Sequence, residues 1–396
     1  MFRTPQFCTV AALILCLLTV ACADVETKIP VVHENEIARE ATTQKEMVVD
    51  RMLADESRIL DIGYRIMAAN VDLCPRKMLT IGLSTWNRYS YVGSDYQRIV
   101  NIHYGLDSTL SVRNVIRDMP ADLAGIRIGD KIIAINDTAL KTGLLAEWDW
   151  SQHMRKIRNQ DPVKLSVLRN GRVHDFTVTP RTVCGYPIVY DMTNIEPNAY
   201  ADGTHVIYNR GLLQFNRNDG EIATILGHEI AHNVMHHIEK GKINSELAGL
   251  GGLAIDVVLA LGGADSGGFF SDTGEYLGHA IYSQSYEAEA DYVGLYFMYR
   301  AGFDITDSPN LWRRMAAEIN PGSIESVGIL YSQTHPVTPA RFVALTKTQN
   351  QIWQKAADNN PILPDMKDAT LSFTDRRPSA GDHEHAREIE EELREE

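Results

Sequence analysis

A short histidine motif constrains the fold of this chain more than any other feature. Residues 228–232 read His-Glu-Ile-Ala-His within the segment EIATILGHEIAHNVMHHIEK. On an α-helix, residues four positions apart lie on one face about a turn from each other, so His228 and His232 can share a metal ion. Glu229 projects beside that face, where a general base must stand if a zinc-bound water is to attack a carbonyl.

The residues around the motif favour a buried helix over a loop. A pattern of two histidines and one glutamate also occurs by chance, so its structural context decides its meaning. Apolar residues recur at helical intervals through it, at Ile222, Ile225, Leu226 and Ile230. The segment is therefore predicted to be a helix with one apolar face.

A third metal ligand is predicted in residues 286–291, which read Tyr-Glu-Ala-Glu-Ala-Asp. A catalytic zinc ion takes three protein ligands and leaves one position open for water. The spacing puts Glu287 and Asp291 on one helical face, so Glu287 can bind the metal while Asp291 accepts the outer N–H of a ligating histidine. Glu289 falls about 200° round the helix from Glu287 and is expected to be solvated. The alternative is an ordinary acidic helix.

These separated motifs resemble the gluzincin zinc metallopeptidases of the HtpX and CAAX-protease type. The resemblance continues upstream in residues 198–203 and 210–213, which are similar to the family's substrate-side segment. It continues downstream in the Thr-His-Pro of residues 334–336 and in Arg341. The match covers roughly residues 186–350.

The resemblance implies one zinc ion per chain and a role for each matching residue. The motif glutamate would deprotonate the water and later protonate the leaving amine. His335 would face the metal, either as a stabiliser of the oxyanion or as an inhibitory fourth ligand. The implied residues are catalytic Glu229 and His335, metal ligands His228, His232 and Glu287, and supporting Asp291 and Arg341.

Three other histidines are not predicted to bind the metal. His236 lies two helical turns from His228, about 12 Å along the axis, which is too far for one tetrahedral ion. His237 is off the helical stripe, and His279 lies in a Gly-flanked stretch that is expected to be a loop.

Residues 95–182 resemble a PDZ domain. Gly125 and Gly129 supply tight turns before an apolar strand, and residues 163–178 read as a hairpin with an Asn-Gly turn. A PDZ groove binds an extended peptide or a C-terminus as an added strand.

The carboxylate loop of this domain is predicted at Tyr104, Gly105 and Leu106. The loop lacks a second glycine, so the alternative is a domain that positions or regulates without binding free C-termini.

The amino terminus predicts export. Arg3 precedes an apolar run that is shorter than the ~20 residues of a membrane span and ends in small residues. Cleavage before Asp24 is one outcome, and an unprocessed anchor is another. Residues 18–22 also resemble a bacterial lipobox with Cys22 as the lipidated residue, which is the preferred interpretation.

The two cysteines outside this signal, Cys74 and Cys184, are predicted to form a disulfide, because an exported chain folds in an oxidising compartment. The alternative is a pair of buried thiols. Charge excludes one partner class, because 38 basic against 52 acidic residues argue against nucleic-acid binding.

The predicted fold class is α+β, with a mostly helical gluzincin metallopeptidase domain that has a small β-sheet, and an inserted PDZ-like β domain. Residues 34–70 are expected to form one long helix or two, and residues 247–270 a buried or mobile Gly-rich helix. The predicted segments are a signal (1–23), an N-terminal helical segment (24–94), the PDZ-like domain (95–182), the catalytic domain (183–360) and an acidic, disordered tail (361–396).

The predicted function is zinc-dependent hydrolysis of internal peptide bonds in misfolded or misassembled envelope proteins. The predicted location is the periplasm, with a tether to the outer membrane if Cys22 carries lipid. A C-terminal peptide or a regulator would bind the PDZ-like domain. The alternatives are a zinc-bearing chaperone or scaffold, and a PDZ adaptor with a dead protease domain.

Overall fold

A computed structural model describes residues 27–94, 96–243, 269–318, 335 and 338–367, with side chains from residue 284 onward in the third range. The predictions for the signal and Cys22, for residues 247–268 and for the tail beyond residue 367 lie outside these ranges. None of the helices within them has the length and apolar character needed to cross a membrane. The chain divides into two compact units at Met47, and the sheets and the packing described below belong to Val48–Glu396.

The described chain is α+β, as predicted. The α-helices are α1 (Glu34–Ala69), α2 (Gln97–His103), α3 (Pro120–Leu123), α4 (Ala146–Lys156), α5 (Arg210–Phe215), α6 (Asp219–Val234), α7 (Phe269–Arg300), α8 (Ser308–Glu318) and α9 (Pro339–Ala357). The strands are β1 (Lys77–Thr80), β2 (Leu83–Trp86), β3 (Leu110–Val115), β4 (Lys131–Ile135), β5 (Thr138–Ala139), β6 (Val163–Arg169), β7 (Arg172–Val178), β8 (Arg181–Cys184), β9 (Ile188–Asp191), β10 (Ala199–Ala201) and β11 (Val206–Asn209). The long N-terminal helix is thus one helix.

The central insertion is a six-stranded sheet in the order β2-β3-β4-β6-β7, with β5 paired to β4. The predicted hairpin joins β6 to β7, and its turn has Asn170 at φ 50° and Gly171 at φ 75°, the left-handed backbone that such two-residue turns require. Strand β2 belongs to this sheet through its pairing with β3. The predicted domain start at residue 95 therefore falls inside the sheet, because β2 lies upstream of it.

The second sheet is small and lies beside the motif helix. Its order is β10-β11-β9, with β9 and β11 parallel and β10 antiparallel at one edge. Its buried side chains share one apolar core with those of α1, α6, α7, α8 and α9. A separate core fills the insertion.

The ends of the insertion are joined by the predicted disulfide. Cys74 and Cys184 are bonded with their Cα atoms 5.5 Å apart, and strand β1 pairs with β8 next to them. In the chain-entropy model, closing a loop of this length stabilises the fold by about 4 to 5 kcal/mol. The bond and the β1–β8 pair hold together the two chain segments that enter and leave the insertion.

Two glycines allow the backbones of α6 and α7 to touch. A Cβ placed on Gly294 would lie 2.9 Å from the carbonyl carbon of Gly227 and 2.9 Å from the amide nitrogen of His228. A Cβ on Gly227 would lie 2.8 Å from the carbonyl oxygen of Gly294. Real Cβ atoms do not approach backbone so closely, so any larger residue at either position forces the helices apart.

We predict that Gly294→Ala lowers the free energy of unfolding by about 1 to 3 kcal/mol, the usual cost of overpacking a core. It should also weaken metal binding, because the contact between α6 and α7 at Gly227 and Gly294 lies next to His228. Denaturant unfolding and zinc titration measure the two effects. Gly241→Ala is the matched control, because a Cβ there meets no atom of the described residues within 4 Å. Equal behaviour of the two variants would contradict the role assigned to the crossing.

Candidate metal centre

The motif helix α6 has a capped N-terminus and a C-terminus that is ended by a sharp turn of the backbone. The side chain of Asn218 caps it by accepting a hydrogen bond from the Glu221 amide at 3.0 Å. The helix ends at Val234, and His236, at φ 57°, turns the chain away from the helical path. Nearly every residue between is buried, so the helix presents its histidines from within the core.

Three predicted ligands meet at one point. The Nε2 atoms of His228 and His232 lie 3.0 Å apart. One oxygen of Glu287 lies 3.3 Å from His228 Nε2 and the other 3.2 Å from His232 Nε2. Together with His335, these residues offer four ligand atoms that all lie within 4.8 Å of one another.

This donor set fits a zinc ion. Two imidazole nitrogens and one carboxylate are zinc ligands of the catalytic type. Ligands at about 2.0 to 2.2 Å around a tetrahedral ion are about 3.3 to 3.6 Å apart, close to the separations seen here. The three side chains are buried. Glu287 is therefore not part of an ordinary solvent-exposed acidic helix.

Glu229 stands beside the ligands with its carboxylate only 2% exposed. Its Oε1 lies 3.3 Å from His335 Nε2, and its Oε2 is buried without a hydrogen-bond partner in the described part of the chain. Burial raises the pKa of Glu229. A buried carboxylate with a raised pKa, in contact with a histidine of the ligand cluster, is equipped to take a proton from water.

His335 closes the remaining side of the site. Its Nδ1 lies 3.0 Å from Glu287 Oε1 and 3.3 Å from His228 Nε2, while its Nε2 lies 3.3 Å from the carbonyl oxygen of Ala199 in β10. The side chain is 15% exposed. His335 therefore stands between the ligands and the edge strand of the small sheet.

One arginine supports both carboxylates. Arg341 grips Asp291 with two nitrogens at 2.8 and 2.9 Å and reaches Glu287 with the third at 3.0 Å. Asp291 Oδ1 in turn lies 3.0 Å from His228 Nδ1. The guanidinium also packs over the ring of Trp312, 4.8 Å from its centroid. This contact fixes the plane of the guanidinium and with it the carboxylates.

Neighbouring charges set the protonation of the ligands. Burial alone would raise the pKa of Glu287, but His335, His228 and Arg341 hold that pKa well below its ordinary value. Burial likewise opposes charge on His228, yet Glu287 and Asp291 raise its pKa to about 10. Burial lowers the pKa of His232 to about 3. Glu287 is thus anionic and His232 neutral, the forms in which both bind metal, whereas His228 is protonated and must release its proton when a metal binds.

Two residues of the site were missed by the sequence prediction. His237 is buried, with Nδ1 3.0 Å from His232 Nδ1 and Nε2 2.9 Å from Glu289 Oε2. His237 lies outside the motif helix and outside the ligand cluster, as predicted, but its contact with His232 was not predicted; the left-handed His236 folds the chain back and brings the two rings together. Glu289, expected in solvent, is only 39% exposed because it pairs with His237.

Two loop predictions also differ from the structure. The backbone of His279 lies within helix α7, so the glycines flanking it do not mark a loop. The amides of Tyr104, Gly105 and Leu106 already donate to carbonyls of α2, and the Tyr104 hydroxyl donates to Asp50. The structure therefore does not support this loop as a carboxylate-binding site.

We predict that Arg341→Lys weakens zinc binding about 10- to 100-fold, the usual effect of removing a support of metal ligands. An ammonium cannot form the forked contact that spans both carboxylates. Competition with a chromophoric chelator measures the affinity. Arg313→Lys is the control, because Arg313 is an exposed arginine on α8. An unchanged affinity in Arg341→Lys would show that the arginine only fills space.

Comparison with known protein families finds two matches in this chain. Residues 179–349 match the sequence profile of peptidase family M48, and residues 81–179 match that of the PDZ domain.

Similar proteins include the mitochondrial metalloendopeptidase OMA1 of Saccharomyces cerevisiae, 30% identical over 43% of this chain and 49% of that protein. The beta-barrel assembly-enhancing protease of Yersinia pestis is 25% identical over 50% of this chain and 45% of that protein. This chain therefore spans about half the length of the relatives that it matches.

Among solved structures, the HtrA3 PDZ domain bound to a phage-derived ligand covers 27% of this chain and 89% of its own, with 18% identity and a TM-score of 0.21. The gluzincin resemblance of the motifs, the metal-ligand geometry and the two profile matches agree. Residues 179–349 are thus similar to peptidase family M48, and residues 81–179 are similar to the PDZ domain.

Proposed function

We propose that this protein is a zinc-dependent metalloendopeptidase. The observation that carries the proposal is the buried convergence of His228, His232 and Glu287 with Glu229 beside them. A bound zinc ion supplies a water of lowered pKa and polarises the scissile carbonyl. The chain's own residues then have to bind the substrate, move one proton and open the site.

The proton is moved by Glu229. Its raised pKa brings the carboxylate closer to the operating pH, where a general base is most effective. The carboxylate accepts the proton of the attacking water and delivers it to the leaving amine, so it returns to its starting form each cycle. His228, Glu287 and Asp291 hold the reaction centre in place without exchanging that proton.

The substrate backbone is bound by strand β10. This strand lies at the edge of its sheet and pairs with β11 on one side, and its Tyr200 is 40% exposed. An extended peptide can add to such an edge through main-chain hydrogen bonds, which explains recognition without a fixed sequence. The scissile bond then lies between β10 and the metal ligands.

His335 acts as an inhibitory ligand in this conformation. It contacts Glu287, His228 and the carbonyl of Ala199, so it occupies the space between the edge strand and the ligands. A peptide can reach the site only after this imidazole moves. Cleavage is thus restrained until substrate binding or another event displaces the His335 imidazole.

We predict that His335→Ala increases the cleavage rate several-fold while the protein keeps one zinc ion, because the substrate no longer competes with the imidazole. Cleavage of a quenched fluorescent peptide and elemental analysis measure the two quantities. A fall of about 10²-fold or more would instead assign His335 to stabilisation of the oxyanion.

The substrates proposed are misfolded or misassembled proteins of the cell envelope. This follows the names of the bacterial relatives, which are beta-barrel assembly-enhancing proteases, and the signal-like amino terminus of this chain. The buried disulfide agrees with folding in an oxidising compartment. The proposed location is the periplasm, with Cys22 lipidated to tether the protein at the outer membrane. Mass spectrometry of the mature amino terminus tests whether Cys22 carries a lipid.

We predict that wild-type protein with zinc cuts an unfolded outer-membrane β-barrel protein and leaves the same protein intact once it is folded in detergent. Glu229→Gln should keep its zinc and lose activity by about 10²- to 10⁴-fold, the range for a general base. Gel electrophoresis measures cleavage, and elemental analysis measures the zinc content of wild type and Glu229→Gln.

The control for fold and surface charge is Glu239→Gln. Glu239 lies ten residues after Glu229 and pairs with His236 at the surface, outside the ligand cluster. Equal cleavage by wild type and Glu229→Gln would remove Glu229 as the base. Zinc binding with no cleavage by wild type or by His335→Ala would favour the chaperone or scaffold.

A further inference from the structure

We propose that His237 and Glu289 form a relay that orients His232 and fixes its tautomer, and so serve as positioning residues for the metal site. The inference rests on the proposed zinc site but not on peptide cleavage. It assigns a role to two residues that neither the motif nor its helical spacing identifies.

The relay is a chain of two hydrogen bonds. His232 Nδ1 lies 3.0 Å from His237 Nδ1, and His237 Nε2 lies 2.9 Å from Glu289 Oε2. His232 and His237 are both buried, so their ring nitrogens need partners within the protein. The Tyr286 ring stacks on His237 at 4.6 Å and 12°, which holds the imidazole in the plane that makes both bonds.

Only one arrangement of protons satisfies this chain with neutral rings. The Glu289 carboxylate can only accept, so His237 Nε2 carries a proton and donates it. His237 Nδ1 then has a lone pair and accepts the N–H of His232 Nδ1. His232 Nε2 is left with its own lone pair, aimed at Glu287 and His228. A metal ion requires that lone pair.

The two histidine ligands are therefore supported in different ways. His228 Nδ1 meets a carboxylate directly, at Asp291, which is buried. His232 reaches its carboxylate through a second imidazole, and that carboxylate is 39% exposed. Asp291, the partner of His228, is enclosed in the core. The partners of His232 instead lead outward, from the buried His237 to the partly exposed Glu289.

The backbone break at His236 makes the relay geometrically accessible. On a continued helix, His237 would lie about 140° round the axis from His232. The left-handed conformation of His236, at φ 57°, ends α6 and brings His237 back against the outer nitrogen of His232. Glu289 faces it from α7, one turn before the crossing of the two helices.

The test compares two replacements of His237. His237→Asn keeps an oxygen near the position of Nδ1 and can accept from His232, whereas His237→Leu fills a similar volume and cannot. We expect His237→Leu to raise the zinc dissociation constant about 10- to 100-fold, and His237→Asn to recover most of that loss. Chelator competition on the full chain measures the constants. His236→Asn is the control, since Asn tolerates the left-handed backbone and His236 lies outside the relay.

A double-mutant cycle then tests the link to Glu289. Glu289→Ala should weaken zinc binding in the wild-type background and have no further effect in His237→Leu, because the relay is already broken. Thermal unfolding of the metal-free variants shows whether a loss of zinc affinity comes from poorer packing. We expect His237→Asn and His237→Leu to melt within a few degrees of each other.

Three results would overturn the relay. They are a zinc affinity of His237→Leu within threefold of wild type, equal weakening in His237→Asn and His237→Leu, and additive effects of His237→Leu and Glu289→Ala. The assay contains no substrate. A wild-type protein that binds zinc with the expected ranking but cuts nothing would refute the peptidase proposal and leave the relay standing.

Discussion

The backbone contact between Gly227 and Gly294 is the constraint on which the metal site depends. It brings α6 and α7 to a distance that no side chain permits, and His228 follows directly in the sequence. Asp291 and Glu287 lie one and two turns before Gly294, so the same crossing sets both next to the histidines. The packing of α6 against α7 therefore sets the positions from which these ligands reach the site.

Buried charge is the second constraint, because the ligand cluster places two carboxylates in a core. Burying an unpaired carboxylate costs several kcal/mol, and Arg341 offsets this with one guanidinium shared between Glu287 and Asp291. The arrangement also explains why α9, at the far end of the domain, is part of the site. A peptidase domain truncated before Arg341 would lose the cation that keeps the carboxylates ionised.

Helix α1 contacts both the six-stranded sheet of the insertion and the motif helix α6. Glu56 pairs with Arg113 of the PDZ sheet, and Arg58, two residues later, donates to Asp219 at the start of α6 at 2.6 Å. Asp61 accepts the backbone N–H of Arg117 at 2.7 Å. Together with the disulfide at Cys74, shortly after the helix ends, these contacts attach the insertion to the helical domain.

Residues whose roles follow from helical periodicity could be predicted from the sequence, and the structure brings them together. His228, His232, Glu287 and Asp291 are of this kind. His237 and Glu289 could not be predicted, because their contact depends on one left-handed residue that spacing does not reveal. The loop at Tyr104 was misassigned because glycine content does not show where backbone amides donate. The start of the PDZ sheet was misplaced because β2, four residues long, carries little pattern.

The most direct test of this account is X-ray absorption spectroscopy at the zinc edge on the purified protein. We expect one zinc ion per chain, with a first shell of only nitrogen and oxygen at about 2.0 to 2.2 Å and outer-shell scattering from three imidazoles. His335→Ala should lose one imidazole from that shell and Glu287→Ala should lose the metal. Sulfur in the first shell, or zinc bound equally well by Glu287→Ala, would contradict the site described here.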